Sequence, residues 1–144
     1  MVSPARIMAT LGGRGVFERS AHNTGSMIER VRSGLPYSSL EAVAARFHIG
    51  QEELVAVLDL PVRTLARRKR EGRLRGDESD RLLRLGRIAA LAEEILGNRE
   101  KTSSWLHRPN RALGNLAPLR HLDTDIGARE VEDLLIRIAH GVYS

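Results

Sequence analysis

A chain of 144 residues is enough for one ordinary domain or two small ones, and without cysteine it can form no disulfide framework, thiol nucleophile or cysteine-based zinc site. The formal net charge is +5, but it is concentrated: Pro61 to Arg75, PVRTLARRKREGRLR, holds seven bases against Glu71, a net of +6, which leaves the remainder at −1. Such a segment is either a solvated helix face or the footprint of something that meets nucleic-acid phosphates. The opening MVSPARIMATLGGRGVF has no apolar run of the ~7 to 15 residues a signal peptide needs, and nothing later approaches the ~18 of a membrane span. A soluble, cytoplasmic protein without membrane contact is expected.

The periodicity is helical almost throughout, with no alternating strand and no Asn-Gly hairpin, which predicts an all-α fold. SMIERVRSG reads as a turn or two of helix stopped by Gly34 and Pro36. SSLEAVAARFHIG places Leu40, Val43, Ala44 and Phe47 on one face, with a serine to cap it and Gly50 to end it. GQEELVAVLDL continues through Leu54, Val57 and Leu58. Pro61 suits the first position of the next helix, and Leu65 keeps that helix's buried face. DESDRLLRLGRIAALAEEILG is the longest helix and ends at Gly97. It is apolar around most of its girth, so one stripe is expected to face its own core and another a second subunit.

Gln51 to Leu58 and Pro61 to Glu71, joined by Asp59 and Leu60, have the proportions of a helix-turn-helix. Asp59 holds the turn position where glycine is common, and aspartate tolerates the left-handed conformation better than most residues. With Leu65 inward, Val62, Arg63, Thr64, Arg67 and Arg68 are the expected outward residues, and Lys69 and Arg70 extend the basic surface. Arginine there can make paired hydrogen bonds to guanine or pair with phosphate.

After Gly97 the composition changes. A helix REKTSSWLH breaks at Pro109, RALG makes a short turn, and Pro118 precedes LRHLDT. Trp105 is expected as a core anchor. Thr124 or Asp125 caps a final helix with the stripe Val131, Leu134, Leu135 and Ile138, which Val142 extends beyond the stop at Gly141. The closing residues RIAHGVYS place a valine and one of only two tyrosines where frayed polar residues are usual. Val142 and Tyr143 either fold back on the protein's own core or meet a partner, and tyrosine is a frequent interface anchor.

Catalysis is not expected of this chain. His22, His48, His107, His121 and His140 have no metal-ligand spacing, and LGGRGVF follows no strand and so fails as a nucleotide loop. Neither a metal nor a cofactor is expected. Glu52/Glu53 and Glu93/Glu94 read as solvated helix faces.

WLHRPNRALGN followed by PLRHLDTDIGAREVEDLLIRIAHGVYS resembles the toxin-binding domain of Xre/MbcA/ParS-type antitoxins. LGGRGVF and ERVRSGLP are similar to that family's opening, RTLARRKREGRL to its Xre-like helix-turn-helix, and ESDRLLRLGRIAALAEEILG to its connecting helix; ERSAHNT matches nothing familiar. The resemblance implies a helix-turn-helix DNA-binding domain over 1–76, a connecting and dimerising helix over 77–97, and a toxin-binding domain over 98–144. It implies a RES-domain, NAD-consuming toxin as partner, its active-site entrance covered by Arg137, His140, Gly141, Val142, Tyr143 and Ser144. Operator DNA is the implied second partner, bound through Arg63, Thr64, Arg67, Arg68, Lys69 and Arg70 by a homodimer that represses its own operon. The alternative is a DNA-binding regulator with no toxin partner.

Overall fold

A computed structural model describes residues 2–13 and 24–141. Val142, Tyr143 and Ser144, and ERSAHNT up to Asn23, lie outside the described residues. Within them are eight α-helices: α1 Pro4–Thr10, α2 Thr24–Ser33, α3 Tyr37–Phe47, α4 Gln51–Leu58, α5 Val62–Glu71, α6 Gly76–Leu96, α7 Arg99–His107 and α8 Asp125–Ala139. Two short 3₁₀ turns, Arg111–Leu113 and Pro118–His121, lie between α7 and α8.

The architecture is organised around α6, which packs against α1, α2, α4, α7 and α8. Leu82, Leu85, Ile88, Ala89 and Ala92 are 0% exposed, and burying each leucine or isoleucine stabilises the fold by about 1.5 to 3 kcal/mol. The apolar girth of this helix is therefore covered by its own chain. Among the described residues its apolar side chains left half-buried at the margin of the core are Leu83, Ile95 and Leu96. Gly86 explains how α1 comes so near: a Cβ there would lie 2.8 Å from Leu11, which is itself fully buried.

Helix α1 was not foreseen, although its start carries the usual signals. Ser3 accepts a hydrogen bond from the Arg6 amide, and Pro4 occupies the first turn, where its missing N–H leaves nothing unsatisfied. Two other boundaries differ from expectation. The residue before α3 is Pro36 rather than a serine; Ser39 lies inside the helix, buried, its hydroxyl without a partner among the described residues. That helix ends at His48, in the left-handed conformation at φ 55°, while Gly50 serves as the N-cap of α4. Pro61 stands one residue before α5 and not at its first position.

The C-terminal elements follow the sequence closely. Asn98 caps α7, and the helix stops at Arg108, which is held extended ahead of Pro109. Thr124 caps α8 by accepting from the Gly127 amide at 3.0 Å. A Cβ on Gly127 would lie 2.1 Å from the His121 carbonyl oxygen, so glycine lets the Pro118–His121 turn lie directly against the start of α8. Val131, Leu134 and Leu135 are buried, and Ile138 is partly buried against the same core. Trp105 is a half-buried flank of the core rather than its anchor; the neighbouring Leu106 is fully buried.

Candidate functional site

Helices α4 and α5 meet through the short turn Asp59–Pro61, with Asp59 in the left-handed conformation at φ 53°. Leu60 and Leu65 are buried beneath the turn, which fixes the outward side of α5. Val62 is 53% exposed at the head of that side. Arg63, Arg67, Lys69 and Arg70 are exposed, and none has a hydrogen-bond or ion-pair partner among the described residues. Thr64 is half-buried on the same helix. Arg63, Arg67 and Arg70 share the side of α5 opposite Leu65 and Arg68, with Thr64 and Lys69 on its two flanks, a surface able to take phosphates and base edges.

Arg68 does not belong to that surface. It is 3% exposed, and its guanidinium grips Glu78 of α6 in a two-pronged contact: Nε donates to Oε1 at 2.7 Å and Nη2 to Oε2 at 2.9 Å. Nη1 donates to Glu71 Oε1 at 3.1 Å. Because every guanidinium nitrogen is engaged within the chain, the expectation that Arg68 contacts DNA is corrected. Glu78, 2% exposed, also accepts from the Arg75 amide at 2.9 Å and so caps α6. Burial pushes the Glu78 carboxyl upward, but hydrogen bonds from Arg68 and the Arg75 amide, with the charges of both arginines, outweigh this and hold it below the usual carboxylate range. The hydrogen bond to Glu78 raises the Arg68 guanidinium, against a smaller opposing effect of burial.

The glutamate pairs also depart from the solvated-face reading. Glu93 takes two hydrogen bonds from Arg46, at 2.9 and 2.7 Å. Glu53 accepts from the Gly50 amide at 2.9 Å and lies 3.2 Å from His107 Nε2, while His107 Nδ1 donates to the Ser103 carbonyl at 2.7 Å. Ser103 Oγ donates to the Phe47 carbonyl at 2.7 Å. Only Glu52 and Glu94 of the four are exposed. These bonds stitch α7 and the end of α6 to α3 and α4. They join residues roughly fifty positions apart, so no local pattern discloses them.

On the C-terminal side Arg137, His140 and Gly141 are exposed at the end of α8. Arg137 lines a surface groove with Ala112, Leu113, Glu130 and Asp133. The remaining three residues expected at a toxin, Val142, Tyr143 and Ser144, lie outside the described residues. Large exposed apolar side chains of the C-terminal elements are Leu116, 51% exposed, Ile126, 75% exposed, and Ile136, 40% exposed. Among the described residues no group of histidine and carboxylate side chains is arranged to hold a metal, and no helix is long and apolar enough to cross a membrane.

A basic helix-turn-helix followed by further helices defines an all-α protein of the helix-turn-helix class. Comparison with known proteins identifies the family. Residues 26–87 match the antitoxin Xre-like helix-turn-helix domain, and residues 91–141 match the antitoxin Xre/MbcA/ParS C-terminal toxin-binding domain. The chain is 30% identical over 120 residues to Antitoxin Xre of Yersinia enterocolitica, spanning 82% of this chain and 81% of that protein. It is 31% identical over 116 residues to Antitoxin Xre of Photorhabdus laumondii, spanning 79% and 78%. It is 27% identical over 124 residues to the Prs ADP-ribosylating antitoxin of a Sphingobium species, again spanning 79% and 78%. The chain belongs to the Xre family of antitoxins, and the alternative of a regulator with no toxin partner gives way to that assignment.

Proposed function

We propose that this antitoxin neutralises a RES-domain, NAD-consuming toxin through its C-terminal region and represses its own operon through α5. The observation that carries the DNA half is the row of four exposed cations on α5 with no partner among the described residues, Arg63, Arg67, Lys69 and Arg70. Such a row, on the second helix of a helix-turn-helix, is placed to enter a major groove. The toxin half rests on the match of residues 91–141 to a toxin-binding domain. The name of the Sphingobium relative sets ADP-ribosylation beside an antitoxin of this build, which supports NAD chemistry in the partner.

In this reading Arg137, His140 and Gly141 lead the chain toward the toxin's active-site entrance, and Val142, Tyr143 and Ser144 cover it. Two copies bind a palindromic operator, because two-fold protein symmetry matches paired half-sites. The experiment is co-expression with the RES-type protein encoded in the neighbouring reading frame, together with binding of the pair's own promoter. Relief of growth arrest and a footprint on that promoter are the expected results. Growth arrest that persists despite soluble antitoxin rejects the toxin assignment, and absence of a footprint rejects the operator assignment.

A further inference from the structure

Arg68 sits among the most basic residues of the chain yet is turned away from solvent, and its partner Glu78 is equally buried. A buried ion pair is an uneconomical source of stability, because desolvating both ions offsets most of their attraction and a packed apolar pair often does as well or better. What the pair supplies that an apolar contact does not is direction. A guanidinium fork on a carboxylate is planar and two-pronged, so it fixes rotation as well as distance. Here one prong engages each Glu78 oxygen, the third nitrogen holds Glu71 at the end of α5, and Glu78 is itself tied to the first turn of α6 through the Arg75 amide. Helix α6 contributes ten buried residues and packs against α1, α2, α4, α7 and α8, so the roll of α5 about its own axis is set against an element held on several sides.

We propose that Arg68 and Glu78 are positioning residues for operator recognition, which set the roll of α5 so that Val62, Arg63 and Arg67 face the bases together while Arg68 touches no DNA. This rests on the operator-binding reading above. Leu65 alone, a single apolar knob, holds α5 down but leaves its rotation soft. A change of roll moves side chains on opposite flanks of the helix in opposite directions, so discrimination between operator and other DNA is lost before general attraction to phosphates.

The test compares wild type with Arg68→Met/Glu78→Gln, in which methionine keeps the volume and glutamine can still accept from the Arg75 amide. Arg68→Lys is the second variant, keeping the charge and losing the fork. Each full-length protein is titrated with the footprinted promoter segment and with scrambled DNA over a range of salt, beside a thermal melt and a toxin-neutralisation assay. Expected are a melt and neutralisation near wild type, an unchanged salt slope, and a fall of roughly tenfold or more in the ratio of operator to scrambled affinity, the scale of losing one good base contact. A salt slope shallower by about one in the double variant would mean that Arg68 is itself a phosphate contact and overturns the proposal. An unchanged ratio in a folded variant overturns it equally, leaving the pair a purely structural feature. If the double variant does not fold, Arg68→Lys decides by the ratio of operator to scrambled affinity. Wild type that prefers neither DNA rejects the operator reading itself, a result distinct from a variant that matches an operator-selective wild type.

Discussion

Helices α5 and α8 both turn a charged side outward, but among the described residues most charges on α8 are paired, Asp133 and Arg137 excepted, and most on α5 are not. On α8, Arg129 pairs with Asp125 at 3.0 Å, Glu132 with Arg87 of α6, and Glu130 lies 3.7 Å from His121. On α5 the exposed cations Arg63, Arg67, Lys69 and Arg70 are unmatched among the described residues, and the matched arginine is the one that turns inward. A row of unmatched like charges repels itself and is relieved by an external polyanion. Matched charges interleaved with an exposed isoleucine suit a protein surface better. On the proposed reading, the operator and toxin surfaces therefore differ in how completely their charges are paired.

The difference is largest at Arg68. Arg68→Ala strands the Glu78 carboxylate in the core, and breaking a buried pair from one side costs about 3 to 5 kcal/mol, to be read from the midpoint of chemical denaturation. Arg67→Ala, one residue earlier and exposed, is expected to shift the same midpoint by less than about 0.5 kcal/mol. The pair also has an acid limit. Because the folded Glu78 carboxyl titrates below its ordinary value of about 4.5, its contribution is fully present above that pH and is lost as pH falls through the lower, folded value. The stability gap between wild type and Glu78→Gln should therefore be widest at neutral pH and close on acidification, measured by melts from pH 7 downward.

Next in size is the tail. Among the described residues the apolar stripe of α8 runs to Ile138, so on removal of residues 141–144 the melt is expected to hold while neutralisation fails. Tyr143→Ala should show the same defect more mildly, at about 2 kcal/mol or roughly thirtyfold in affinity, the scale of a truncated interface anchor. Titration of toxin activity with each protein checks this, and equal inhibition by wild type and shortened chain points instead to the surface around Trp105 to Leu113. Smaller again is Thr124→Ala, which removes the α8 cap and costs about 1 kcal/mol of stability. The melt should fall by a few degrees, while operator binding through α5 is untouched.

Most of the helical order was legible because apolar residues at helical spacing mark the buried faces of α3, α4, α6 and α8. Arg68 was legible too, in its position: it lies three residues after Leu65, on the inward phase of α5. Reading by residue type placed every base outward, and type misleads wherever a charge has a buried partner. Glu53 and Glu93 were not legible at all, since their partners His107 and Arg46 are about fifty residues away and only the folded chain brings them together. The Ser3–Pro4 start of α1 was present in the sequence, but a seven-residue helix with little periodicity of its own gives no stripe to recognise. The toxin-facing tail owed its assignment to family resemblance, because three residues carry no periodic signal.

The claim that the unmatched face of α5 is the operator surface, separate from the toxin surface, is tested most directly by one variant. Arg63→Ala/Arg67→Ala should bind the pair's own promoter more weakly, with a salt slope shallower by up to about two if both side chains meet phosphates, or with relaxed base preference costing about 1 to 3 kcal/mol per position if they read bases. Toxin neutralisation by the same preparation should equal wild type. Wild-type promoter affinity, slope and base preference in that variant, or a parallel loss of neutralisation, would contradict the assignment.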